Sequence, residues 1–110
     1  MSAYNTTSAS LRCPRCASLA AVKVQFKFGN TWQHEYSLGD RLQWGGNDIG
    51  VQGKHHVVVD GIVEESCPNC GYDDEWKVYV HIENDRIARV ENATGEFDFA
   101  KTGSHYVVVD

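Results

Sequence analysis

From Val22 onward apolar and polar side chains alternate: Val22, Val24, Phe26 and Phe28 fall on one face, Lys23, Gln25 and Lys27 on the other. A period of two marks a strand with one face buried. After Gly29-Asn30-Thr31 the alternation resumes, with Trp32, His34, Tyr36 and Leu38 set against Gln33, Glu35 and Ser37. A two-residue turn would lay the apolar face of one strand beside the polar face of the next, because a slip of one residue exchanges faces. A three-residue turn avoids this. It predicts a hairpin pairing Phe28 with Trp32, Phe26 with His34, Val24 with Tyr36 and Val22 with Leu38, with Trp32 in the core.

Further strands are expected from about His55 to Glu64, from Trp76 to Ile82, from Arg86 to Val90 after a turn at Asn84-Asp85, and from His105 to Val109. At Asn84-Asp85 the apolar parity does not choose between a two-residue and a three-residue loop. No helical period is sustained anywhere, so the expected class is all-β: a small antiparallel sheet protein. Residues 39 to 53 hold five glycines (Gly39, Gly45, Gly46, Gly50, Gly53) and read as a loop of the length that often binds something. Residues 1–10, rich in Ser, Thr and Asn, read as a flexible leader, which leaves 11–110 as a single domain.

The cysteines change this picture. Four are present, in two matched steps, Cys13-Pro14-Arg15-Cys16 and Cys67-Pro68-Asn69-Cys70-Gly71. Each C-x-x-C step lets two thiolates of one tight turn reach a single ion, and two such turns supply the four sulfurs of a closed structural site. One zinc ion is the expected cofactor. In a domain of this size it contributes on the order of 10 kcal/mol of apparent binding free energy, which counts as folding free energy. The two steps resemble the knuckles of zinc-ribbon and rubredoxin-like proteins, Cys67-Pro68-Asn69-Cys70-Gly71-Tyr72 being close to the form seen in both. The resemblance covers the two turns and their adjoining strands, and implies a metal-fastened β module.

A shift of 54 residues superposes Cys13 on Cys67, Pro14 on Pro68, Cys16 on Cys70, Lys23 on Lys77 and Val24 on Val78. A shift of 50 superposes His55-x-Val-Val-Val-Asp60 on His105-x-Val-Val-Val-Asp110. Together they predict two related units, each a cysteine turn, a hairpin and a closing valine strand.

Charge bears on partners. Residues 1–66 carry six acids and six bases, residues 67–110 nine acids and four bases, for a formal charge of -5. The acidic second half repels a phosphate backbone and favours a basic protein partner. No apolar run reaches the length of a membrane span and the start lacks a secretion signal, so a cytoplasmic protein with reduced thiols is expected. No nucleophile paired with a base, no phosphate-cradling glycine motif and no open metal position can be named, and the expectation is that the chain is not an enzyme. His55 and His56 point to opposite faces of a strand and are expected to be packed or surface histidines. Trp44 in the glycine loop is expected either as the exposed anchor of a binding surface or folded back as a lid on the sheet; Asn47, Asp48 and the acidic turn Asp73-Asp74-Glu75 are the other candidate partner-binding residues.

The function expected is a cytosolic zinc-stabilised protein-binding module, in one form a bacterial immunity-type inhibitor that covers the basic active site of a toxin. One alternative is a nucleic-acid-associated ribbon, using Arg12, Arg15, Lys23 and Lys27 with Trp32 or Tyr36 as stacking rings. Another is a rubredoxin-like iron electron carrier.

Overall fold

The computed structural model of the chain describes residues 4–46, 48–73, 76–97, 99 and 105–109. Among these it is all-β: β1 (Asn5–Arg12), β2 (Leu19–Phe26), β3 (Gly29–Asn30), β4 (Glu35–Tyr36), β5 (Asp48–Ile49), β6 (His56–Val63), β7 (Lys77–Glu83), β8 (Arg86–Asn92) and β9 (Tyr106–Val108). The main sheet runs β4-β1-β2-β6-β7-β8, with β9 also paired to β6, and β3 and β5 make a small second sheet. Pairing is antiparallel except for the short parallel contact of β1 with β4. No helix among the described residues is long and apolar enough to cross a membrane.

The alternation of β2 predicts its buried face correctly: Val22, Val24, Phe26 and the following Phe28 are at most 2% exposed. They pack with Ala9 and Leu11 of β1, Val57, Val59 and Val63 of β6, and Val78, Val80 and Ile82 of β7. The opposite face of β7 is also covered. The Tyr79 ring meets those of Phe97 and Phe99 edge-on, and its hydroxyl accepts the Gly95 and Phe97 amides at 3.0 and 3.2 Å.

Two expectations are corrected here. Most of the stretch read as a flexible leader belongs to β1, paired with β2 from Asn5↔Phe26 to Arg12↔Leu19. Its inward positions are Asn5, Thr7, Ala9 and Leu11, so the period of two is present but is written largely in small and polar residues. With that edge of β2 taken by β1, the hairpin expected between β2 and residues 32–38 does not form. Tyr36 is buried on the far side of β1, whereas Trp32 and Leu38 are 71% and 49% exposed. Asn5 explains the rerouting. Fully buried, it donates from Nδ2 to the carbonyls of Phe28 and Asn30 at 3.0 and 3.2 Å, and its Oδ1 accepts the His34 amide at 3.1 Å.

The turn at Asn84-Asp85 has two residues, both at positive φ (52° and 64°), closed by Glu83↔Arg86. Paired left-handed residues of this kind match the twist of a tight hairpin. One step further the register jumps from Ile82↔Ile87 to His81↔Arg89, leaving Ala88 as an extra residue. That bulge shifts the apolar parity of β8 against β7, which is why alternation alone did not choose the loop length.

Candidate metal centre

Each cysteine step sits at the tip of a hairpin, the first between β1 and β2, the second between β6 and β7. The β2–β6 pairing, Val24↔Val63 to Phe26↔Gly61, lays the two hairpins side by side and brings their tips together. The sheet also curls so that its far strand reaches the first tip. Asn92 of β8 donates from Nδ2 to the Arg12 carbonyl at 2.7 Å while its Oδ1 accepts the Trp76 indole N–H at 2.8 Å.

The two tips are built alike, and adding 54 to each residue number of one gives the other. Cys13 N–H donates to Ser18 O at 3.0 Å and Cys67 N–H to Tyr72 O at 2.9 Å; Ala17 N–H donates to Cys13 O and Gly71 N–H to Cys67 O, both at 2.9 Å. The amides of Arg15 and Asn69 each approach the first sulfur of their step at 3.4 Å. Ala17 and Gly71 share a left-handed backbone, φ 61° and 75°. The same shift carries the strand register: Asn5↔Phe26, Thr6↔Gln25, Thr7↔Val24 and Ser8↔Lys23 become Val59↔Val80, Asp60↔Tyr79, Gly61↔Val78 and Ile62↔Lys77. The repeated unit is therefore strand, cysteine turn, strand, not the expected cysteine turn, hairpin and valine strand. The two valine strands meet as the pair β6–β9.

The four sulfurs lie within 4.8 Å of one another, with Cys13 and Cys67 buried and Cys16 and Cys70 half-buried. Cys13 Sγ is 3.6 Å from Cys70 Sγ, and Cys16 Sγ is 3.8 Å from Cys67 Sγ. These separations fit a metal and not a disulfide. Tetrahedral sulfurs about 2.3 Å from one ion stand about 3.8 Å apart, whereas a disulfide holds its sulfurs at about 2.0 Å. Each close pair joins one hairpin to the other, so an ion held here would fasten both tips.

Sequence reasoning singled out the four sulfurs but missed Asn69, which lies inside the second step. Its Nδ2 donates to Cys16 Sγ at 3.5 Å and to Ser18 Oγ at 3.1 Å, crossing from the second tip to the first. That bond, helped by the Ser18 backbone, draws the Cys16 thiol down to about 6. Cys67 is also lowered, chiefly by the Cys70 amide. Cys70 is pushed up to about 12, first by loss of hydration and then by the neighbouring thiols. The set thus ionises unevenly, and a divalent cation is the natural means of holding all four as thiolates.

The other predicted site residues are dispersed. Of the two placements expected for Trp44, the ring takes the one folded back onto the core and not that of an exposed anchor: it meets Phe28 edge-on at 5.5 Å between centroids. Asp48 lies in β5 with its carboxylate accepting the Gly45 amide at 3.0 and 3.1 Å, so it closes the glycine loop. Asp73 is exposed just after the second cysteine turn; Asn47, Asp74 and Glu75 lie outside the described residues. His56 does not act with His55. Its Nε2 is 3.0 Å from Nδ1 of His81, a residue only 3% exposed, on the neighbouring strand. Burial lowers the His81 pKa, and its Nε2 lacks a hydrogen-bond partner among the described residues, Glu91 Oε1 standing 3.5 Å away without bonding alignment.

Fold and site together define a small all-β domain whose two hairpin tips present four cysteines in an arrangement compatible with one metal ion. No protein-family model, no curated protein and no solved structure matches the chain.

Proposed function

We propose that this chain is a zinc-fastened module whose work is to bind another protein. The observation that carries the reading is Trp32: the other two tryptophans pack on the core, yet this one stands 71% exposed. A large aromatic ring kept in water is the kind of residue that dominates protein interfaces. The metal site fits a fastening role, since four cysteines fill a tetrahedral shell and leave no position for a substrate. The acid surplus of the second half of the chain favours a basic partner. An inhibitor that covers the basic site of a toxin is one form of such a role.

The nucleic-acid alternative draws less support. Of its groups, Lys23 is tied to Glu35 at 3.2 Å, and Tyr36 is buried with its hydroxyl accepting the Gln43 amide. The electron-carrier alternative shares the same sulfur geometry, because iron accepts four thiolates at similar distances. Affinity capture of the metal-loaded chain from cells that make it, with metal analysis of the bait, separates the three. A protein partner retained on a colourless, zinc-bearing bait supports the proposal. Nucleic acid recovered alone, released as salt rises, or a coloured iron-bearing protein, would overturn it.

A further inference from the structure

Trp32 is not exposed for want of a fixed backbone. The residue after it, Gln33, holds a left-handed φ of 59°. On either side the chain is pinned: Trp32 N–H donates to Asn30 O at 3.1 Å, the His34 amide donates to the buried Asn5 side chain, and Thr6 N–H donates to His34 O at 2.9 Å. A non-glycine residue in that conformation persists only where its surroundings hold it, and such strain gathers at binding sites. The ring is thus presented on a preorganised turn, which reduces the ordering cost of an encounter.

The residues that follow Trp32 run along a groove of about 460 Å³ walled by Gln33, His34, Glu35, Tyr4, Lys23 and Glu64. Its charge is unbalanced. Two carboxylates of its wall, Glu35 and Glu64, face one ammonium, that of Lys23: Glu35 Oε1 lies 3.2 Å from Nζ; just outside the wall Glu65 Oε1 accepts the Lys23 amide at 2.9 Å. Glu64 is anchored by the Tyr4 hydroxyl at 3.1 Å and by Gln25 Nε2 at 3.3 Å. Glu35 is 75% exposed, so its second oxygen has room for another cation.

We propose that Trp32 and the adjoining Glu35–Glu64 groove form the docking surface for an arginine- or lysine-bearing segment of a protein partner. The proposal rests on the protein-binding reading above and names its surface. An aromatic face is complementary to a guanidinium or ammonium that stacks on it, and fixed carboxylates are complementary to a second basic group further along the same segment, whose N–H groups reach the oxygens. The same carboxylates repel a phosphate chain, so the exposed ring serves a basic peptide rather than a nucleic acid.

The test titrates the metal-loaded full chain with an arginine–glycine repeat peptide, a glutamate–glycine repeat peptide and an oligothymidylate, following the three indole N–H resonances. The arginine peptide is expected to move the Trp32 resonance and leave those of Trp44 and Trp76 in place. Trp32→Ala and the double variant Glu35→Gln/Glu64→Gln should each weaken it at least about tenfold, while Asp48→Asn should not. Movement of Trp32 by oligothymidylate, or unchanged affinity in the glutamine double variant, overturns the proposal. A photo-crosslinker placed at exposed Gln33, which keeps the Trp32 ring, or at exposed Val51 in living cells separates this proposal from the broader reading, the crosslinked segment being identified by mass spectrometry. An arginine- or lysine-bearing segment of a protein crosslinked from 33 supports both. Capture from 51 alone refutes the surface and spares the function, and capture from neither refutes both.

Discussion

Replacing Ala17 with glycine should make the protein more stable, and the size of the effect follows from the paired tips. Ala17 occupies φ 61° where the second tip has Gly71 at φ 75°. An L-residue in the left-handed region costs about 1–2 kcal/mol, a cost glycine escapes. Neither backbone can relax to negative φ without giving up the 2.9 Å bond to the carbonyl of the first cysteine of its step. The gain from Ala17→Gly is offset by the larger conformational freedom of glycine in the unfolded chain, about 0.4–1 kcal/mol. The exposed Ala17 methyl contributes little packing, which leaves a net stabilisation of about 0.5–1 kcal/mol. Gly71→Ala is the mirror experiment. Nothing lies within 4 Å of a Cβ placed there, so only the dihedral term acts, and a loss of about 0.5–1 kcal/mol is expected. Urea denaturation at fixed free zinc measures both, since an ion that binds only the folded chain otherwise adds its own concentration-dependent stabilisation. Both variants keep four sulfurs and should keep the metal. A stability lowered by Ala17→Gly, or untouched by Gly71→Ala, would show that the two tips are not equivalent.

Removing the metal with a chelator, or replacing Cys67 by Ser, should abolish cooperative thermal unfolding, because the ion's contribution of order 10 kcal/mol is comparable to the whole stability of a domain this size; an unchanged melting curve would count against the site. Asn69→Ala should lower metal affinity by about tenfold or more in chelator competition, as loss of a bond to a ligand atom does elsewhere, with the four-cysteine stoichiometry retained. Asn5→Ala should cost about 2–4 kcal/mol, since it strands two carbonyls and the His34 amide at the foot of the Trp32 turn. His81 supplies a pH dependence. Its pKa is lower in the folded chain, so the unfolded chain binds the extra proton, and stability is full above about pH 6.5 and falls as pH drops below it, by at most about 1.4 kcal/mol per pH unit. Denaturation midpoints between pH 7.5 and 5 should therefore fall less steeply in His81→Gln than in the parent, and parallel profiles would contradict this.

What was legible in the sequence follows from which constraints are local. Four thiolates on one ion demand a fixed spacing within each turn, so the cysteines announced themselves, and alternation announced the buried face of β2. The partner of β2 was not legible, because the parity argument compared only residues 22–38 with each other. The competitor for the same edge lay upstream in β1, where the inward Asn5 and Thr7 are polar and Ala9 is small. A buried asparagine that collects three backbone groups does the organising work that a hydrophobic residue would have advertised. The tryptophans were not legible for the same reason. Trp32 was placed by its parity in a hairpin that does not form, and Trp44 was left between two placements by its glycine neighbours, although the β3–β5 pair closes that loop and leaves its ring against Phe28.

The internal repeat shows the limit most clearly. Between the two hairpins the cysteine turns keep their hydrogen bonds and the strands keep their register, yet β1 and the matching part of β6 share almost no chemistry: Asn5-Thr6-Thr7-Ser8 stands where the other unit has Val59-Asp60-Gly61-Ile62. The difference is one of position in the sheet. β6 lies in its middle, paired with β2, β7 and β9, whereas β1 has only the two-residue β4 beyond it. Burial does not separate the two segments: Asn5, Thr6 and Thr7 are buried, as are Val59 and Gly61, while Asp60 and Ile62 are half-buried. What differs is the neighbour, since Asn5 meets backbone groups of Phe28, Asn30 and His34 with its amide, whereas Val59 packs in the apolar core. The same strand register is thus compatible with dissimilar side chains where the surroundings differ. A comparison of side chains finds such a repeat at the four cysteines, where chemistry permits no substitute, and at a few further pairs such as Pro14 and Pro68, Lys23 and Lys77, and Val24 and Val78.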